Sequence, residues 1–156
     1  IYLEREVTGG KIRKGVLGLI DLDEYSYEKN SSSLIRATEA TVLERIPPRV
    51  MIRKGAALEM PHIMLLIDDP NKTVIEPLSE KCDSFTKVYD FDLMQNSGHI
   101  KGYALNSETI AFIQDALAKL VENSDDKFLF AVGDGNHSLA TAKECSISSL
   151  PSFCRW

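Results

Sequence analysis

Residues 128–143, Phe-Leu-Phe-Ala-Val-Gly-Asp-Gly-Asn-His-Ser-Leu-Ala-Thr-Ala-Lys, constrain this chain more than any other stretch. Five apolar residues in a row, 128–132, predict a strand buried on both faces, as inside a parallel sheet. Gly133 and Gly135 then permit a tight turn, and a helical pattern starts almost at once. A strand that runs through a glycine turn into a helix aims several backbone N–H groups at one spot. The helix dipole adds about half a positive charge there. The turn therefore reads as an anion cradle, with Asp134, Asn136, His137 and Ser138 crowding polar chemistry around it. The plainer alternative is an ordinary strand-to-helix turn that needs glycine for its backbone alone.

The other segments read as scaffold. Residues 1–7 and 11–22 flank Thr8-Gly9-Gly10 and predict an antiparallel hairpin. Residues 21–33, acidic and rich in serine and tyrosine, predict a loop. Residues 34–46 predict a short extended piece running into a helix that Pro47 stops. Pro48 then opens a second helix with 49–58 as its body, and Pro61 ends it. A compact strand at 62–67 leads to an Asp68-Asp69-Pro70-Asn71-Lys72 turn. Further on, 78–85 predicts a helix after Pro77, and 87–90 and 99–105 predict strands. Ser107 is placed to cap the clearest helix, whose Ile110, Ile113, Leu117, Leu120 and Val121 form one apolar stripe read as core. Strands interleaved with helices predict an α/β or α+β fold. The expected architecture is a mixed sheet of about five or six strands with an N-terminal antiparallel hairpin and helices packed on it.

Composition narrows the function classes. At 156 residues the chain fits one domain, 1–156. With 44% hydrophobic and 26% charged residues it reads as a globular protein rather than a disordered one. No apolar run approaches the roughly 20 residues that span a bilayer. A net charge of −5 disfavours nucleic acid as a partner, since such binding rests on basic patches. Cys82, Cys145 and Cys154 are odd in number and lack CxxC spacing, so they read as reduced thiols in a cytoplasmic protein. The chain opens on Ile1-Tyr2-Leu3, already strand-like, and residues 146–156 read as an irregular tail. Both ends look cut, and a fragment of a longer protein is expected.

At 133–142, Gly-Asp-Gly-Asn-His-Ser-Leu-Ala-Thr-Ala, the chain resembles the bacterial proteins called domain of unknown function 1015. Members carry an Asp-Gly-His-His-Arg or Asp-Gly-Asn-His type of box after a hydrophobic strand. The likeness continues through Leu-Ile-Arg-Ala-Thr-Glu-Ala-Thr at 34–41 and His-Ile-Met-Leu-Leu-Ile-Asp-Asp-Pro at 62–70. The box is also similar to one in the ParB/sulfiredoxin-like superfamily, which includes free-serine kinases and proteins that bind or hydrolyse nucleotides. That resemblance implies a ParB/sulfiredoxin-like fold, with phosphate received at the helix N-terminus and Mg²⁺ with ATP or ADP as cofactors. Asp134, Gly135 and His137 match the kinase-type box directly. Asn136 stands where that box has His, and Ser138 where it has Arg. Losing that Arg removes a bidentate phosphate fork, which a Ser cannot replace.

Two function classes follow. One is a kinase-like enzyme moving phosphate to a small hydroxyl substrate, with Asp134, His137 and Glu39 as catalytic candidates. Its phosphate or nucleotide contacts would come from Gly133, Gly135, Asn136, Ser138, Arg36, Thr41 and Arg45. The other is a nucleotide-binding or interaction module without chemistry. Arg36, with Thr38, Glu39, Thr41 and Arg45, forms a polar segment that reads either as a solvated helix face or as the second half of the site. In the latter case Arg36 replaces the cation missing at Ser138, and Glu39 is a candidate base. His62, His99 and His137 each flank a strand but lack HxH or HExxH spacing, so they read as separate residues rather than a metal centre.

Overall fold

Two hairpin-forming stretches and one run of short parallel pairings decide the architecture of the computed structural model, which describes residues 1–7 and 9–149. In chain order the strands are β1 (Tyr2–Val7), β2 (Lys11–Val16), β3 (Tyr25–Ser26), β4 (Ile35–Ala37), β5 (Met64–Leu66), β6 (Thr86–Asp92), β7 (His99–Ala104) and β8 (Phe130–Asp134). The α-helices are α1 (Ile46–Arg53), α2 (Glu76–Glu80), α3 (Ser107–Glu122) and α4 (Asn136–Ser149). The expected single sheet is corrected to two four-stranded sheets, ordered β2-β1-β7-β6 and β3-β4-β8-β5. The chain divides accordingly into one unit of Ile1–Leu19 and Asp69–Leu120 and another of Ile20–Asp68 and Val121–Trp156. Helices and strands are mixed along the chain, and the fold is α+β.

The first unit's sheet is antiparallel throughout. The expected N-terminal hairpin forms between β1 and β2, with Thr8 of its turn outside the described residues. Tyr2 lies opposite Val16 on one side and Tyr103 on the other. Tyr2 and Tyr103 are buried with Leu78 of α2, and their rings sit 6.0 Å apart. Gly102 on β7 is needed for a close approach. A Cβ there would come within 2.1 Å of the Tyr89 ring, which lies over it. The cap of α3 is Asn106 rather than Ser107: its Oδ1 accepts the Thr109 N–H at 2.8 Å. The amide side chain reaches that donor directly, one residue earlier than expected. Of the apolar stripe, Ile113 packs on this unit's core, whereas Ile110 is exposed.

The second unit pairs β3 with β4 and β4 with β8 in parallel, and closes with β5 antiparallel to β8. Its core gathers Tyr25, Ile35, Ile46, Val132, Leu139 and Ala140, so the expected loop at 21–33 contributes a fully buried tyrosine. The expected helix before Pro47 is reduced to a single 3-10 turn at Leu43–Arg45, and 38–42 continue without helix from β4. Instead α1 starts at Ile46, with both prolines in its first turn, where no N–H is needed and φ is preset. It ends at Arg53, short of the expected 58, before Gly55 at φ +86°. Residues 146–149 extend α4 rather than starting a tail, because no proline interrupts them before 151. The rest of that tail, 150–156 with Cys154, lies outside the described residues. No helix among the described residues is long and apolar enough to cross a membrane.

Candidate functional site

The glycine turn sits in the second unit, at the end of the strand that lies between β4 and β5. β8 runs two residues further than its apolar run suggests, to Asp134, and α4 begins at Asn136. Between them Gly135 adopts φ +89°, and its carbonyl accepts the Leu139 N–H at 2.9 Å as the first helical bond. A Cβ at Gly135 would lie 2.7 Å from Ile63 Cδ1 and 3.1 Å from the His62 carbonyl oxygen. The reversal thus needs glycine twice, for its backbone angle and for the chain packed on it. The N–H groups of Asn136, His137 and Ser138 occupy the first turn, where an α-helix has no acceptor to offer them. Among the described residues none accepts from them.

The polar side chains at the turn divide into those that build it and those that face outward. Asn136 is buried at 4% exposure. Its Oδ1 accepts the Thr38 N–H at 3.2 Å, and its Nδ2 donates to the Val132 carbonyl at 3.2 Å. Thr38 Oγ1 donates to that same carbonyl at 2.7 Å. Asn136 and Thr38 therefore clamp the end of β4 to the end of β8. His137 Nε2 accepts the Val42 N–H at 3.1 Å, which puts the proton of the neutral ring on Nδ1. The helix beyond is tied down by buried Thr141, whose hydroxyl donates to the His137 carbonyl at 2.7 Å. Asp134 is different: it is exposed, and its carboxylate has no partner among the described residues.

The segment 38–42 does lie beside the turn, through Thr38 and Val42. Glu39 between them is exposed, and Thr41 Oγ1 is buried with no hydrogen-bond partner among the described residues. Arg36 is not brought to the turn. Its Nη1 and Nη2 bind Asp126 Oδ2 at 2.6 Å and the Asp126 carbonyl at 2.8 Å, while Nε donates to the Ser33 carbonyl at 2.7 Å. The guanidinium lies 4.8 Å over the Phe128 ring. Arg36 in turn holds the Asp126 carboxyl below its ordinary range, helped by the Phe128 N–H. Arg45 is exposed, and its carbonyl accepts from Arg49 at 2.8 Å.

The cation at Ser138 is one that the sequence did not single out. Arg53, in the last turn of α1, donates from Nη1 to the Ser138 carbonyl at 2.9 Å and to its Oγ at 3.3 Å. Its Nε and Nη2 grip Glu59 at 2.7 and 2.5 Å, a bidentate pair with both side chains about three-quarters or more buried. The hydrogen bond to Glu59 raises the Arg53 pKa, and the same bond holds the Glu59 carboxyl below its usual value. No periodicity joins residues 53 and 59. They meet because the chain folds back after Gly55, which single-sequence patterns do not report. Among the described residues no group of three or more His, Cys, Asp or Glu is gathered as a metal ion would need.

A family model described as "Protein of unknown function (DUF1015)" matches residues 1–149. No curated protein and no solved structure matches the chain. The matched span includes the polar segment after β4, the strand β5 and the whole glycine turn, and the chain belongs to the DUF1015 family.

Proposed function

We propose that the turn between β8 and α4 binds the phosphate of a small molecule or nucleotide. The observation that carries this reading is the division of labour at the turn. Asn136, Thr38 and His137 are spent on holding the backbone in place, while three first-turn N–H groups and Asp134 are left to face a ligand. A rigid ring of N–H donors at a helix start suits one phosphate group. A Mg²⁺ ion would rest on Asp134 and the phosphate oxygens, since Mg²⁺ is commonly held by one or two carboxylates together with its substrate. When bound, it would neutralise phosphate charge. The likeness of the box to ParB/sulfiredoxin-like proteins supports the same ligand class, and a cytoplasmic setting goes with it.

Kinase-like phosphoryl transfer is the second reading, and the unpartnered Asp134 carboxylate is what favours it. In that reading Asp134 would orient the attacking hydroxyl and Glu39 would be its exposed neighbour. His137 would position rather than transfer protons through Nε2, whose lone pair is already engaged by Val42. The two readings separate in one experiment. Phosphate, ADP and ATP are added in turn, with and without Mg²⁺, and both the unfolding temperature and the release of ADP with an amino-acid pool are followed. Binding at a hundredfold excess over Kd stabilises by about 2.7 kcal/mol, so a clear upward shift is expected. Stabilisation without turnover supports the module, and turnover lost in Asp134→Asn supports transfer. No shift with any of the three ligands would overturn both.

A further inference from the structure

The first unit carries a separate polar arrangement, where the β6–β7 hairpin meets β1. His99 begins β7, directly opposite Asp92 and diagonal to Asp90. Its Nδ1 lies 2.6 Å from Asp92 Oδ1 and its Nε2 lies 2.5 Å from Asp90 Oδ1. A neutral imidazole offers one N–H and one lone pair, and a carboxylate only accepts. With both ring nitrogens against carboxylate oxygens, a neutral ring would press a lone pair onto an anion at one of the two contacts. Only the imidazolium satisfies both.

We propose that His99 is a proton-operated latch on the β6–β7 hairpin, holding it closed as the imidazolium and releasing it when the proton leaves. The loop that the latch closes turns through left-handed backbone. Gln95 and Asn96 take φ 57° and 55°, of which Gln95 is the less accommodating residue, and Gly98 takes φ 100°, which glycine adopts freely. The hairpin tip also rests on β1, where a Cβ at Gly98 would lie 1.9 Å from the Glu6 carbonyl oxygen. The charged groups facing His99 come from three strands. Asp90, Asp92 and Lys87 lie on β6, Lys101 lies on β7, and Glu4 and Glu6 lie on β1, while β2 contributes the apolar Ile12. Glu4, Glu6, Ile12, Asp90, His99 and Lys101 line an open concavity of about 420 Å³. Lys87 binds Asp90 at 2.6 Å, so Asp90 stays ionised beside the ring. Carboxylates outnumber the lysines around His99, and they favour its charged form. The bond to Asp92 first, then that to Asp90, raises its pKa above the ordinary 6.5. The sign follows: the latch is fully set below 6.5 and is lost as pH rises through the higher folded value.

The test is a side-chain nitrogen NMR titration of the whole chain, with amide protection of β6 and β7 followed over the same range and corrected for intrinsic exchange. Expected are two protonated ring nitrogens at His99 on the acid side, a midpoint above 6.5, and loss of protection at the Asp92–His99 pair across that midpoint. Asp92 is 91% exposed, so Asp92→Asn leaves the fold intact. It is expected to bring the midpoint down towards the ordinary value. A midpoint at or below 6.5 in the native chain would overturn the latch. So would a single ring N–H with a protonated Asp92, or hairpin protection that ignores the titration.

Discussion

Arg53 reaches the Ser138 carbonyl and hydroxyl from α1 while its fork grips Glu59, and its position makes specific demands. Its guanidinium joins α1, the Glu59 segment and the first turn of α4. Arg53→Ala removes that junction and leaves the partly buried Glu59 carboxylate without its cation. The expected loss is about 2–4 kcal/mol in urea unfolding, with Arg53→Lys recovering only part because an ammonium cannot reproduce the fork. An Arg53→Ala variant as stable as the native chain would make the pair a surface accident. Gly135→Ala is expected to cost about 2–4 kcal/mol, combining a left-handed backbone with the crowding at Ile63 and His62. Calorimetry on that variant checks it, and a loss below about half a kcal/mol would mean that the turn relaxes freely.

At the scale of the element, a strand, a turn and a helix were legible from 128–143, because apolar runs and glycines act locally. The strand is nevertheless 130–134 rather than 128–132, with Phe128 exposed and Val132 its one buried residue instead of both faces being covered. The tether that gives the turn its rigidity was not legible. Asn136 reads as one more polar residue of a ligand cradle, yet three of its four hydrogen-bonding positions are taken up within the fold. Arg36 likewise reads as the missing cation, and the fold turns it to Asp126 and Phe128 instead. The deciding partners are 90 and 98 residues away. Asn136→Ala is therefore expected to loosen the joint between β4 and β8. It should cost about 1–3 kcal/mol, since the Thr38 N–H loses its acceptor and the Val132 carbonyl a donor. Denaturant unfolding measures it, and a neutral result would return Asn136 to the ligand side. The Pro47-Pro48 pair shows the same limit in the other direction. It was expected to separate two helices, but both residues fit inside one first turn.

For the whole molecule, the sequence conveyed the α+β mixture but not its division into two sheets, because which strand pairs with which is settled by contacts distant in sequence. The same distant pairs fix how stability depends on pH. Asp90, held to about 2 by Lys87 and His99, and Glu59, lowered by Arg53, stabilise the fold above their ordinary values of 3.8 and 4.5. That contribution fades as pH falls through their folded values. His99 works in the opposite sense, stabilising below 6.5 and fading as pH rises through its raised value. Thermal unfolding midpoints should therefore peak between 4.5 and 6.5 and fall on both sides. A midpoint that keeps rising above that window would contradict these assignments.

The central claim is that the first turn of α4 receives phosphate, and the most direct measurement watches its amides. The native chain, labelled with nitrogen-15, is titrated with inorganic phosphate at constant ionic strength, and the N–H signals of His137 and Ser138 are followed. The account predicts saturable downfield shifts centred on those two residues, with chloride producing none. Loss of the Asp134 charge in Asp134→Asn should strengthen the phosphate response in the absence of Mg²⁺ by removing a like charge. Shifts that never saturate, or that scatter over the lysines while His137 and Ser138 stay still, would contradict it and leave the glycine turn as a structural joint.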